Sequence, residues 1–446
     1  MRSFVLGAGA VACLLIFGDT PARACGGCFH PPTQNPTVVT DHRMILSVSL
    51  DQTTLYDQIE YSGSPDSFAW VLPIAGTATV GLSADVVFDA LQTLTQTTIY
   101  APATNCPPPP SNCAFGGAAA DAGAAFEDAG VTVLKQEVVG PYETVQLASS
   151  DPQALDNWLT GHGYTVPPDI EPIIQAYVSE GMDFLAMKLV PGASVQSMRP
   201  VRVTTAGASP VLPLRMVAAG TGTSVGVTLW IIGEGRYEPA NFPFFRIQDS
   251  ELVWDWQSQS SNYTTLRQQK EQASGGTAWE IESSLPLDVG ALTNVVDNGG
   301  YSYPYYGYDA GIDYLPTTAP DGGAGESASQ VRDDDLAALF EGMTPSNVRV
   351  TRIRSDLSRA ALAQDLTLQA SADQSPLTNL RYVTAATGSP VCPSYGFCNG
   401  QNGDDNGSMV GGGCAIAPEG DASGTLFAFF GIVGMALSGL ARRRKR

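Results

Sequence analysis

Two apolar runs at opposite ends of the chain decide which part of it has to fold as a globular body. The first spans residues 4–18, after Met1-Arg2 and before Ala22-Arg23-Ala24. A charged start, a short apolar core and small residues ahead of a cut site form the pattern of a secretory signal peptide, so residues 1–24 are expected to leave as a leader. Cys25 then begins the mature chain, although Ala22 and Arg23 suit a lipidation motif poorly. The second run, residues 424–441, is 18 residues long. As a transmembrane helix it reaches about 27 Å, just enough for a hydrocarbon core. Arg442, Arg443, Arg444, Lys445 and Arg446 follow it as a basic tail, expected to stay cytoplasmic by the positive-inside rule. The body between the two runs is therefore expected outside the cytosol.

Charge narrows the partners. The chain carries 44 acidic and 23 basic residues, a net charge of −21. Without the leader and the basic tail, 16 basic and 43 acidic residues remain, so the body stands near −27. Such a surface repels phosphate backbones, which excludes nucleic acid as a partner, and it disfavours docking on anionic lipid.

There are eight cysteines. Cys13 leaves with the leader and Cys414 belongs to the tail. Cys25, Cys28, Cys106, Cys113, Cys392 and Cys398 remain as disulfide candidates in an oxidising exterior. Close spacing favours the local pairs Cys106–Cys113 and Cys392–Cys398, each enclosing a Pro or Gly turn. Loops this small remove little chain entropy, so such bridges pin loops more than they stabilise a fold. Cys25-Gly26-Gly27-Cys28 is open to three readings: a structural disulfide, a redox pair, or half of a zinc site with His30. A redox pair is expected between a strand and a helix, but this one runs into Pro31-Pro32. Zinc needs a second matching half. The disulfide is favoured, and no metal or other cofactor is implied.

Alternation predicts strands at 43–50 and 54–61, and an apolar run predicts a third at 67–74. Ser83 is the expected N-cap of a helix over 83–95, with Val86, Val87, Leu91 and Leu94 on one face. Residues 101–130, with Pro107 to Pro110 and an Ala/Gly-rich stretch, form a low-complexity insertion. Strands return at 131–139 and 143–148. Helices are expected at 151–160 and 168–179, stopped by Gly161 and Gly181. Further strands are expected at 184–190, 200–205, 212–217, 225–232, 348–354 and 365–370, and helices at 263–271 and 333–341. Residues 288–330, rich in Gly, Tyr, Asp and Pro, read as a linker or insertion, and 399–423 as a flexible stalk. The main domain thus covers 25–287, and 331–398 completes the same body. Strands and helices interleave without strict βαβ alternation. The expected fold class is α+β: mainly antiparallel sheet, a few packed helices, long Gly/Pro-rich loops and a single C-terminal transmembrane helix.

No set of residues names a reaction, and none is singled out as catalytic. Gly222-Thr223-Ser224-Val225-Gly226 matches the nucleophile-elbow pattern, which needs a strand, a sharp turn and a helix. Between two strand runs it reads as a hairpin turn. His162, flanked by Gly161 and Gly163, reads as a helix-ending turn. Asn402-Gly403-Asp404-Asp405-Asn406-Gly407 sets oxygen ligands at alternate positions, but Gly413 stands where a calcium loop needs a bidentate Glu. Asp333-Asp334-Asp335 is expected to load the first turn of its helix. Trp254 and Trp256 flank Asp255, and alternation puts both rings on one face, either to fill a core or to stack on a sugar. With Tyr301, Tyr303 and Tyr305 of the tyrosine-rich stretch, they are the candidate glycan contacts.

Two resemblances extend this reading. Gly411-Gly412-Gly413-Cys414, the apolar run and the Arg/Lys cluster resemble the tripartite sorting tail of myxobacterial surface proteins. In that family a membrane protease removes the helix and the modified cysteine anchors the protein. The resemblance implies signal peptidase and a C-terminal sorting protease as partners, and the cell surface or outer membrane as destination. An inner-membrane anchor facing the periplasm is the alternative. In the body, Cys25-Gly26-Gly27-Cys28-Phe29, the run from Asp66 to Pro73, Val139-Gly140-Pro141-Tyr142-Glu143-Thr144, Gly181-Met182-Asp183-Phe184 and Pro213-Leu214-Arg215 resemble the secreted bacterial family called domain of unknown function 2330. That family carries no established reaction, so it implies secretion and a shared fold alone. The expected function is that of an exported, surface-anchored binding or structural protein of the envelope. An extracellular hydrolase acting on polysaccharide is the alternative.

Overall fold

The segment Val225 to Ile232 is buried along its whole length because it lies at the centre of a sheet covered on both faces. The protein is described by a computed structural model at residues 28–29, 39–58, 69–104, 106, 136–148, 153–190, 198–219, 221–302, 313–317 and 325–392. The expected leader, stalk, apolar run and basic tail lie outside these residues, as do Cys25, Cys113, Cys398, Cys414, Tyr303 and Tyr305. Among the described residues no helix is long and apolar enough to cross a membrane. The chain divides into two compact units, residues 1–102 with 121–388, and residues 103–120 with 389–446.

In the larger unit the main sheet has eight strands, in the order β14 (Phe244–Phe245), β17 (Trp279–Pro286), β18 (Val348–Ser358), β12 (Thr221–Glu234), β2 (Val39–Val48), β3 (Gln52–Gln58), β10 (Val201–Ala206) and β5 (Ala78–Leu82). A five-stranded sheet runs β1 (Cys28–Phe29), β4 (Ala69–Ile74), β9 (Asp183–Leu189), β8 (Tyr142–Leu147) and β7 (Gln136–Val139). Three small sheets complete the set: β11 (Val211–Leu212), β19 (Leu366–Ala370) and β13 (Tyr237–Pro239); β16 (Ser260–Ser261), β15 (Val253–Asp255) and β21 (Ala385–Thr387); and β20 (Leu380–Tyr382) with β6 (Thr98–Tyr100). Most pairings are antiparallel. The parallel ones are β12 with β2, β14 with β17, β15 with β21, and β20 with β6. With seven described α-helices, the class is α+β as expected.

Side-chain alternation splits the main sheet between two cores. Met44, Leu46, Leu55, Val227, Leu229 and Ile353 enter one core, shared with Trp70, Phe184 and Met187 of the five-stranded sheet. Ile45, Tyr56, Trp230, Ile232 and Val350 enter the other. Helices cover that second face: α1 (Asp85–Thr95) through Val86, Val87, Phe88 and Leu91, α6 (Val289–Asp297) through Leu292 and Val296, and α7 (Ala328–Ala338) through Leu336. The remaining helices are α2 (Ala154–Gly161), α3 (Glu171–Ser179), α4 (Leu214–Val217) and α5 (Tyr263–Ala273).

Several local expectations are corrected. Ser83 does not cap α1, whose N-cap is Ala84. The Ser83 hydroxyl donates instead to Asp335, 2.5 Å away. The strand expected at 212–217 ends at Leu212, and Leu214–Val217 is a helical turn after Pro213. Gly222 to Gly226 form no turn. They lie within β12, with Ser224 opposite Ser358. Inside the expected linker, Val289–Asp297 is helical, because Asp288 caps it by accepting from the Ala291 N–H at 3.0 Å. Asp333, Asp334 and Asp335 do not open α7 but stand in its second half. Its start is a capping box made by Ser327 and Gln330.

Candidate functional site

The site assembles where strand β15, helix α5 and strand β20 sit over the far end of the main sheet. Trp254 lies in β15 and Trp256 opens the turn after it, and their rings meet edge to face, with centroids 6.1 Å apart. Asp255 is turned into the chain. Its carboxylate accepts from the Gln257 N–H at 3.1 Å, the Ser258 N–H at 3.2 Å, the Ser258 hydroxyl at 2.7 Å and the Thr387 hydroxyl at 3.4 Å. These bonds, the Ser258 hydroxyl first, hold it below the usual carboxylate range. Gln259 completes the turn with φ at 53°, left-handed backbone that a non-glycine residue seldom adopts, and its amide donates to the Trp256 carbonyl at 2.9 Å. The turn presenting Trp256 is thus tied down by side chains.

A second aromatic pair lies on the same small lobe. Parallel pairing sets Tyr382 opposite Tyr100, and the two rings stack with centroids 5.1 Å apart and planes 12° from parallel. Both are exposed, at 46% for Tyr100 and 55% for Tyr382. Beneath lies a separate small core of Ile247, Leu252, Tyr263 and Val383, against which Ile99, Phe245, Trp254 and Leu266 pack. Tyr301 is also exposed, at the end of the segment after α6.

The floor of this lobe is charged. Strand β17 sends Trp279 and Ile281 into the first core. Alternation then puts Glu280 and Glu282 on the opposite side, and a bulge between Ile281 and Ser283 leaves Glu282 without a partner in the ladder. Both glutamates are buried. The Tyr263 hydroxyl lies 2.9 Å from Glu280 Oε2 and 3.2 Å from Glu282 Oε1, with the Thr97 hydroxyl at 3.4 Å. Arg352 Nε stands 2.5 Å from Glu282 Oε2, an ion pair by distance in which neither atom is aligned for a hydrogen bond. Arg381 Nη2 donates to the Glu282 carbonyl at 2.6 Å. Arg267 on α5 pairs with Asp356 at 3.2 Å and reaches Glu271 at 3.5 Å. Burial first, then Glu282, pushes the Glu280 carboxyl up to about 8. Burial first, then Asp356, lifts Glu271 to about 7.

The sequence reading missed this charged floor. Its signal was present in Trp279-Glu280-Ile281-Glu282, where two acids alternate with apolar residues, yet a lone strand does not say which face is covered. A second buried acid was missed as well. Asp335 accepts from Ser83, from Tyr314 at 2.9 Å and from Arg202 at 2.9 Å, and Tyr56 donates to its carbonyl at 3.0 Å.

The other singled-out residues lie elsewhere. His162 caps α2, with Nδ1 2.8 Å from the Trp158 carbonyl oxygen and its ring against Trp158. Cys28 pairs with Trp70 at the edge of the five-stranded sheet. In the smaller unit, Cys106 is bonded to Cys392, 286 residues away, and not to Cys113. The expected local pairing is therefore wrong for both. The reason is tertiary: the bridge joins segments 286 residues apart, a pairing that no local spacing indicates.

A family model described as an uncharacterised protein conserved in bacteria, DUF2330, matches residues 20–315, more than half of the chain. No curated protein matches the chain. The crystal structure of baculovirus P35 is similar over 45% of this chain and 65% of that one, at 12% identity and a TM-score of 0.29, a likeness from which nothing follows for fold or function.

Proposed function

The chain belongs to the uncharacterised bacterial family DUF2330, and we propose that it is an exported, surface-anchored protein that binds an uncharged ligand of the envelope or extracellular matrix through its aromatic lobe. The observation that carries the binding part is the exposed stacked pair Tyr100 and Tyr382 on the same lobe as half-buried Trp256, whose ring meets core-packed Trp254 edge to face. Flat apolar rings backed by a fixed turn suit stacking on the faces of sugar rings. The acidic body, near −27 without its ends, turns away polyanions and leaves neutral polysaccharide as the matching class. Export and anchoring rest on the leader, the Cys414 tail and the basic cluster. Fractionation of the native cells with mass spectrometry of both termini tests them: an intact Arg446 would defeat processing of the tail. Binding of a soluble neutral β-glucan, with Tyr382→Ala and Trp256→Ala as variants, tests the lobe. Equal retention of all three proteins would refute it.

A second reading draws on Glu280 and Glu282, two carboxyls bridged by one hydroxyl, one of them held above its ordinary range. An acid and base pair in a polysaccharide hydrolase has this make-up, and since both side chains are buried, the reading requires α5 and β20 to open and admit the sugar. Release of reducing ends that disappears in Glu280→Gln with binding retained would support it.

A further inference from the structure

The bridge under the lobe has too few protons when both glutamates are ionised. A phenol has one proton to donate. Tyr263 can therefore satisfy only one of the two carboxylate oxygens that lie 2.9 and 3.2 Å from it. Both contacts become hydrogen bonds once Glu280 carries a proton. Glu280 then donates to the phenol oxygen, and Tyr263 donates to Glu282, which faces Arg352. The cations are distributed accordingly. Arg352 is beside Glu282, Arg381 donates to the backbone of Glu282, and Arg267 is engaged by Asp356 and Glu271. Glu280 has no ion-pair partner among the described residues, and its second oxygen, Oε1, is buried without a hydrogen-bond partner.

We propose that Glu280, Tyr263 and Glu282 form a proton-dependent latch, in which one proton on Glu280 fastens helix α5 and the aromatic lobe to strand β17 and its loss releases them. The groups that face Glu280 are Glu282 on its own strand, Tyr263 and Arg267 on α5, and Arg381 on β20. Arg352, Arg354 and Asp356 on β18 and Glu271 on α5 complete the surrounding charges. A hydrogen bond donated by Tyr263, then Arg267 and Arg381, favour the ionised form, but burial and Glu282 outweigh all three, in the same direction as the proton count. A raised carboxyl binds its proton more tightly in the fold. Its support is therefore greatest in acid and is lost as pH rises through the folded value. The lobe is firm in mildly acidic surroundings and loosens in alkaline ones. That this regulates binding rests on the reading of the lobe as a ligand surface, whereas the latch itself does not.

Hydrogen exchange with mass spectrometry on the full mature chain, corrected for the intrinsic pH dependence of exchange, reads the latch directly. Between pH 6 and pH 9 the protection of peptides covering 263–273 should fall roughly ten- to a hundredfold in the wild type. Glu280→Gln stays neutral and should keep only the smaller fall below about pH 7 that Glu271 on the same helix contributes, with none between pH 7.5 and pH 9. Parallel declines in the two proteins would overturn the proposal. Infrared spectra provide a second measurement: a protonated carboxyl band should persist in the wild type above pH 7.5, beyond the titration of Glu271, and be missing there in Glu280→Gln, and its absence from the wild type would overturn the proposal equally. Retention on β-glucan in the same samples separates the two claims. A lobe that never binds while its protection still titrates supports the latch and removes only the ligand reading.

Discussion

Replacing Asp335 by alanine strips the acceptor from three donors at once. Ser83 and Tyr314 both donate to Oδ2 and Arg202 donates to Oδ1, and Asp335, Ser83 and Tyr314 are all buried. Removing one member of a buried ion pair costs about 3–5 kcal/mol, because the remaining charge is left without compensation. Orphaned hydroxyls add to this, but water entering the vacated space offsets part of it. The expected loss is therefore about 4 kcal/mol at pH 7. Asparagine should cost far less. Its amide oxygen keeps an acceptor in the site where alanine leaves none, and either neutral side chain escapes the roughly 3 kcal/mol that keeping the carboxyl ionised costs, since burial pushes it up to about 6 in spite of Arg202. The sign follows from linkage. A raised acid stabilises most below its unfolded value and loses that contribution as pH rises toward the folded one. Wild-type stability relative to Asp335→Asn should thus decline between pH 4 and pH 6. Urea titrations followed by circular dichroism measure both effects. A loss below 1 kcal/mol in Asp335→Ala, or a wild-type to Asp335→Asn difference that is flat with pH, would refute the reasoning.

Other outcomes are open to the same methods. Glu280 and Glu271, raised to about 8 and about 7, make overall stability fall from mildly acidic pH toward pH 8, while carboxylates held low, such as Glu251, which accepts from Lys270, withdraw support below about pH 4; thermal melts across pH should peak between these limits. Arg215 grips Glu180 through two bonds of 2.7 and 2.6 Å, meets Asp365 at 2.7 Å and lies over the Tyr177 ring. Lysine cannot reproduce that fork, so Arg215→Lys should lose about 2 kcal/mol in denaturant titration. Gly140 turns between β7 and β8 with φ at 58°, and an added Cβ would strike Leu82, so Gly140→Ala should cost at least about 1–3 kcal/mol. Peptide mapping without reductant should recover Cys106 joined to Cys392, and a Cys106–Cys113 peptide in its place would contradict the assignment.

Much of the framework was legible because it depends on local periodicity. Strands at 39–48, 52–58, 69–74 and 183–189 and the helix at 263–273 fall close to where alternation and helical spacing placed them, and the α+β class follows from their order. Caps were less legible. Ser83 has the right chemistry to cap α1, but its hydroxyl donates to a buried carboxylate from α7, 252 residues on, and Ala84 takes the cap position. Gly222 to Gly226 looked like a turn because glycine and serine favour turns. Pairing with β18 from Ser224 on, and with β2 at Thr221 and again from Gly226, keeps the segment in β12 instead. The same limit hid the acid pair: Glu280 and Glu282 read as ordinary exposed charges until α5 and β20 close over them.

By itself the sequence determined most of the strands and helices, how acidic the body is and which cysteines are available, since these depend on composition and on neighbours a few residues apart. Tertiary structure alone decided which charges are buried, which cysteine meets which, and which aromatic rings share a lobe. Burial and electrostatic partnership depend on contacts between segments hundreds of residues apart, and no local pattern encodes the distance at which Asp335 meets Ser83 or Cys106 meets Cys392.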